Sequence, residues 1–224
     1  MTTGEDVVRD IMYDGQTAPE PGAIVCRVAP SFLRFGSYQI HALKGDFVTL
    51  RTLVDYTVKH HFPDHSTDSD EGLLEWLKQV AVETARMISE WMRVGFVHGV
   101  MNTDNTSIAG ETIDYGPCAF IDTYRPDKVF SSIDHAGRYA FMNQPDIVQW
   151  NLAQLAQCLL PLIDEKTDSA VSIAKDIISR FPEIFAEDLG REFAHKLGLV
   201  CEPSQALHVA LELLELMSDH LADF

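Results

Sequence analysis

Between Asp68 and Gly95 the chain carries one apolar stripe, Leu73, Leu77, Val80, Thr84, Met87, Ile88 and Trp91, recurring at steps of three and four. That spacing is one face of an α-helix and predicts a helix over about 69–94. Asp68 with Glu71 three residues on reads as a capping box, and Gly95 supplies the stop. A helix of this length delivers the next segment to a fixed place. That segment, residues 98–116, holds three oxygen donors within eleven residues, Asp104, Asn105 and Asp114, a layout suited to hard divalent cations and phosphate. Thr106-Ser-Ile and Glu111-Thr-Ile flank Ala109-Gly110, which predicts a tight two-stranded hairpin fixing the distance from Asn105 to Asp114. On spacing alone, two Asx residues capping turns beside an unrelated acid explain the same letters.

The rest of the chain reads as helices around this segment. Residues 5–13 suggest a short helix before the turn at Asp14-Gly15, Pro19 to Gly22 a loop, and Ala23-Ile-Val-Cys-Arg-Val a buried strand. Pro30 marks a helix start or sharp turn. Leu50, Leu53, Val54 and Val58 have helical period, predicting a helix from Phe47 to about His60. Residues 117–145, broken by Pro117, Pro126 and Gly137, read as irregular. Pro145 opens an apolar helix to about Ile163, and further helices are predicted near 167–180, 182–197 and 203–222. The fold class expected is mainly α with small β-hairpins (α+β), as a single unit over 1–224. About 1–145 would carry the site and about 145–224 a helical scaffold.

Charge narrows the function. Seventeen Lys and Arg against 34 Asp and Glu give −17, a field that repels phosphate backbones and anionic lipid, so no nucleic-acid or membrane partner is expected. No apolar run approaches the roughly 18–20 residues that span a bilayer. The start, Met1-Thr-Thr-Gly-Glu-Asp, lacks the basic and apolar parts of a secretory signal. Cys26, Cys118, Cys158 and Cys201 form no C-x-x-C pair and read as four buried reduced thiols, with Cys118 near the donor segment. Lys59-His-His with His65 lacks the Cys or carboxylate that would complete a metal site and reads as a solvated helix end. His98 reads as a prop for the loop; His135, Arg138 and Asn143 read as braces for the segment around them.

Asn105 and Asp114 stand where protein kinases carry two magnesium ligands, and His98 lies seven residues before Asn105, the spacing within H-R-D-x-x-x-x-N. Val100 occupies the place of that motif's Asp, so the ordinary kinase base is missing. Together with Arg27-Val-Ala-Pro-Ser-Phe-Leu-Arg-Phe-Gly and Gly137-Arg-Tyr-Ala-Phe-Met-Asn-Gln-Pro-Asp-Ile-Val-Gln-Trp-Asn-Leu, the segment closely resembles the selenoprotein O (SelO, YdiU) family. The resemblance runs from about Thr3 to the last residues.

The resemblance implies a protein-kinase-like fold acting as a protein adenylyltransferase, moving AMP from ATP to Ser, Thr or Tyr hydroxyls of other proteins. It implies Asn105 and Asp114 as Mg2+ (or Mn2+) ligands, Arg27 and Arg34 on the nucleotide phosphates, and Asp104 as acceptor of the incoming hydroxyl's proton. Guanidinium forks suit phosphate because they donate two parallel hydrogen bonds. The family's glycine-rich loop and strand Lys have no counterpart here; Lys44 sits in a Leu-Lys-Gly turn. The chain therefore resembles a C-lobe without its N-lobe. The alternatives are a non-catalytic kinase-like fragment with a binding or regulatory role, and a true phosphotransferase, against which Val100 argues. Cytoplasmic placement is expected for a bacterial source and mitochondrial for a eukaryotic one.

Overall fold

The structure is a computed structural model and describes residues 1–10, 14–163 and 167–224. It is mainly helical with two small antiparallel sheets, in the order β1 (Thr2–Arg9), β2 (Ala18–Ala23), α1 (Phe35–Leu43), α2 (Phe47–His61), α3 (Asp70–Val94), β3 (Phe96–Val97), β4 (Ala119–Phe120), α4 (Gln144–Ile163), α5 (Thr167–Ser179), α6 (Phe181–Leu197) and α7 (Pro203–His220). The α+β class and the helices expected from apolar periodicity are present.

α3 is the axis of the fold. Its stripe buries Leu73, Leu77, Val80, Thr84, Met87, Ile88 and Trp91, joined by Trp76, Ala81, Ala85 and Met92. Ser69, not Asp68, caps it: the Ser69 hydroxyl accepts from the Gly72 amide. Gly95 ends it in the left-handed region at φ 74°, where L side chains are strained. α3 packs on α6 and α6 on α7, while α4 packs on α1, α3 and α5. One buried cluster runs through all seven helices, with Trp76, Tyr38, Phe35, Phe141 and Phe181 its largest fully buried side chains. Each such apolar side chain contributes about 1.5–3 kcal/mol relative to exposure. Among the described residues no helix is long and apolar enough to cross a membrane.

The N-terminal reading needs correction. Residues 2–9 form β1 instead of a helix, and residues 11–13 of that expected helix lie outside the described residues. The expected 19–22 loop is inside β2, and the expected strand at 23–28 stops at Ala23. Pro19 and Pro21 fit because a two-stranded ladder has only edge strands. Nearly every residue of both strands is exposed, so no buried face marks them in the sequence.

The expected hairpin across Ala109-Gly110 is also absent. Residues 106–113 form no strand ladder with each other; Ser107 bridges antiparallel to Arg34 instead. The Phe35 amide donates to the Thr106 carbonyl and the Ile108 amide to the Leu33 carbonyl, both at 3.0 Å. A distant segment supplies the partner that the expected second strand was to provide.

Candidate functional site

The donor segment is an excursion closed at its base. Phe96 pairs with Phe120 and Val97 with Ala119, so residues 98–118 leave and return at adjacent strands. Closure brings backbone against backbone at Gly99, where a Cβ would meet the Pro117 carbonyl oxygen at 2.9 Å; φ is +84°. Glycine is required there on both counts.

Three buried polar side chains hold the excursion from inside. Gln144, at the start of α4 and fully buried, accepts from the His98 amide at 3.1 Å and donates to the Phe96 carbonyl at 3.0 Å. Asn151, two turns on along the same helix face and also fully buried, donates to the Met101 carbonyl and the Thr106 hydroxyl, each at 2.9 Å. His98 Nε2 donates to the Ile113 carbonyl at 2.7 Å, and its Nδ1 accepts from the Val100 amide at 3.4 Å. A carbonyl only accepts and an amide only donates, so these partners fix the neutral Nε2–H tautomer. Burial pushes the His98 pKa below the usual histidine value, opposed by the Ile113 carbonyl and the charge of Asp114. The expected structural role of His98 agrees with these contacts.

Asp104 and Asn105 sit on a 3-10 turn, residues 103–105, capped by the Asn102 side chain, which accepts from the Asn105 amide at 3.0 Å. Asn105 Nδ2 donates to the Val100 carbonyl at 3.0 Å, which commits its nitrogen and leaves Oδ1 as an acceptor without a partner among the described residues. Asp104 is exposed and lies over the first turn of α1: a Cβ on Gly36 would collide with Asp104 Oδ1. Gly36 therefore makes room for that carboxylate.

Asp114 adopts the left-handed region at φ 55°, which costs an L residue about 1–2 kcal/mol. Strain held at one carboxylate is a pointer to function. Arg34 Nη2 donates to Asp114 Oδ1 at 3.0 Å and lies 2.7 Å from Oδ2. The second contact is a charge contact without hydrogen-bond geometry, so Oδ2 makes no hydrogen bond among the described residues. Arg27 Nη1 is 3.8 Å from Oδ1, and its guanidinium lies 5.1 Å from the Tyr115 ring centroid.

Both arginines thus converge on Asp114. Arg34 is bridged to Ser107, and Gly36, two residues further on, faces the Asp104 carboxylate. Asn105 donates to the Val100 carbonyl, and Ile113, the residue before Asp114, accepts from the His98 ring, so both candidate ligands are tied to the 98–100 segment. Among the described residues no group of three or more His, Cys, Asp or Glu is arranged to hold a metal. The donors here are one amide oxygen and one carboxylate, which suits magnesium, a cation that keeps several waters and takes substrate phosphates.

Gln144, Asn151 and Gly36 escaped the reading of the sequence for function. Two polar residues seven apart on an otherwise apolar helix face were the available signal for the first two.

The family described as "Protein adenylyltransferase SelO" matches residues 1–224. Curated relatives carrying the name "Protein nucleotidyltransferase YdiU" include those of Nitrobacter hamburgensis, 46% identical over 222 residues, and Nitrobacter winogradskyi, 50% identical over 222 residues; each alignment covers 99% of this chain and 42% of the relative. That of Halalkalibacterium halodurans is 47% identical over 224 residues, all of this chain and 44% of the relative. The chain spans less than half the length of these relatives. It belongs to the SelO family.

Proposed function

We propose that this chain is the C-lobe portion of a kinase-like protein adenylyltransferase that moves AMP from ATP to Ser, Thr or Tyr hydroxyls of other proteins. One observation carries the reading: two arginines meet on the strained Asp114 while Asn105 turns a free oxygen from the same loop.

The parts divide the work as follows. Arg27 and Arg34 swing from Asp114 to the phosphates and bind them by charge-assisted hydrogen bonds. Asn105 Oδ1 and the Asp114 carboxylate would hold Mg2+ or Mn2+, which when bound neutralises phosphate charge. Asp104 orients the acceptor hydroxyl and takes its proton. The hydroxyl oxygen attacks the α-phosphorus, the bond from that phosphorus to the bridging oxygen breaks, and pyrophosphate leaves with both electrons. Val100, where a kinase has its base, disfavours transfer of the γ-phosphoryl group.

A second reading is a binding or regulatory lobe without activity of its own. Incubation of a full-length counterpart carrying this segment with acceptor protein, Mg2+ and either α- or γ-labelled ATP separates these. The first reading expects label from the α position alone. Label from γ alone contradicts it, and label from neither, with folded protein, supports the second.

A further inference from the structure

Behind Asp114 the surface opens into a groove of about 520 Å³ between residues 28–30, the last two turns of α3 and residues 110–115. Val28, Trp91 and Thr112 wall it, and Glu90, Glu111 and Tyr115 give it its chemistry. Tyr115 belongs to both places: it lines the groove and carries Arg27 on its ring, one residue after Asp114. Tyr115 thus joins the groove to the arginine end of the proposed transfer site.

Its unpaired charge is negative. Arg93, the groove's one cation, is turned away to Glu192 at 2.5 Å. Glu90 is held by Arg86 at 3.3 Å on the exposed side. Glu111 has no ion-pair partner among the described residues, and its Oε2 is buried without a hydrogen bond. A buried carboxylate oxygen left unpaired is costly, and a cationic donor arriving beside it removes that cost. An acid next to aromatic and aliphatic walls suits a lysine or arginine, whose stem packs on apolar surface while its head pairs with the acid. Phosphate is repelled there.

Resting on the adenylyl-transfer reading, we propose that this groove is an acceptor subsite, in which Glu111 pairs with a lysine or arginine near the modified hydroxyl. The −17 charge of the chain then steers basic segments toward the site.

Fluorescence anisotropy with this chain and short labelled peptides tests it, using one serine flanked by arginine and the same peptide with citrulline. The arginine peptide is expected to bind about tenfold tighter or more, the worth of a hydrogen-bonded charge pair. Glu111→Gln should erase that difference, and so should Glu111→Ala, which remains as a second variant if the first does not fold. Equal binding of the two peptides, or a preference that survives both substitutions, overturns the proposal. Magnesium- and ATP-dependent thermal stabilisation, measured in parallel, should be unchanged in Glu111→Gln. Its absence from the unsubstituted chain counts against the transfer reading alone, while the peptide comparison still decides the groove.

Discussion

Arg34 Nη2 sits 2.7 Å from one oxygen of Asp114 and 3.0 Å from the other, so a residue proposed for phosphate covers a residue proposed for metal. Their side chains are 36% and 30% exposed, and a pair so open to water is worth under about 1 kcal/mol. The contact does not hold the fold together.

Asp114→Gly is therefore expected to keep the fold and change stability by no more than about 1 kcal/mol, because glycine adopts φ 55° without strain. It should lose magnesium-dependent stabilisation by nucleotide. Thermal melts with and without Mg2+ and ATP check both halves.

Gly36→Ala separates the acceptor step from nucleotide binding. The new methyl displaces the Asp104 carboxylate, while alanine favours the helix over glycine by up to about 1 kcal/mol. Nucleotide affinity should hold and the rate of AMP transfer, measured in the active assembly, should fall at least about tenfold, the low end of what misplacing a general base costs.

Asn151→Leu strips a hydrogen bond from the Met101 carbonyl inside the donor excursion, and Gln144→Leu strips one from the Phe96 carbonyl at its base. Leaving such groups unpaired costs about 1–3 kcal/mol. Chemical denaturation should show that loss, and nucleotide affinity should weaken as well. An equal loss of stability from a large-to-small change at Phe181, remote from this loop, should leave affinity unchanged.

His98 gives the protein an acid-side weakness. Its folded pKa lies below the ordinary 6.5 because burial disfavours the charged ring. Between the two values the unfolded chain binds more protons, so stability rises with pH across that window. The contribution is complete above about pH 6.5 and declines as pH falls through the window toward the folded pKa. Melting temperatures between pH 7.5 and 5 should fall for the unsubstituted chain by more than for His98→Gln.

Much of this was readable in the letters, and the remainder has a common cause. The helices were legible because burial stamps a period of three and four on residues such as Leu73, Leu77 and Val80. β1 and β2 were not, because an exposed two-stranded ribbon buries no face and leaves no alternation. Residues 106–113 looked like a hairpin because local turn signals were strong, yet Arg34, seventy-three residues before Ser107, took the pairing. The candidate site residues are picked out by motifs shared with a family, and their roles remain part of the proposal. The φ of Asp114, the packing of Asp104 on Gly36 and the grip of Asn151 all depend on distant partners and left no mark.

The central claim is that Asn105 and Asp114 serve one cation. Substoichiometric Mn2+ added to the isotope-labelled chain with a non-hydrolysable ATP analogue tests it by paramagnetic broadening of amide signals. The account expects the Asn105 and Asp114 amides to broaden together and first, with Arg34 close behind, and the effect to vanish in Asp114→Asn. Broadening of one without the other, or first at exposed acids such as Glu187 and Asp188, would contradict it.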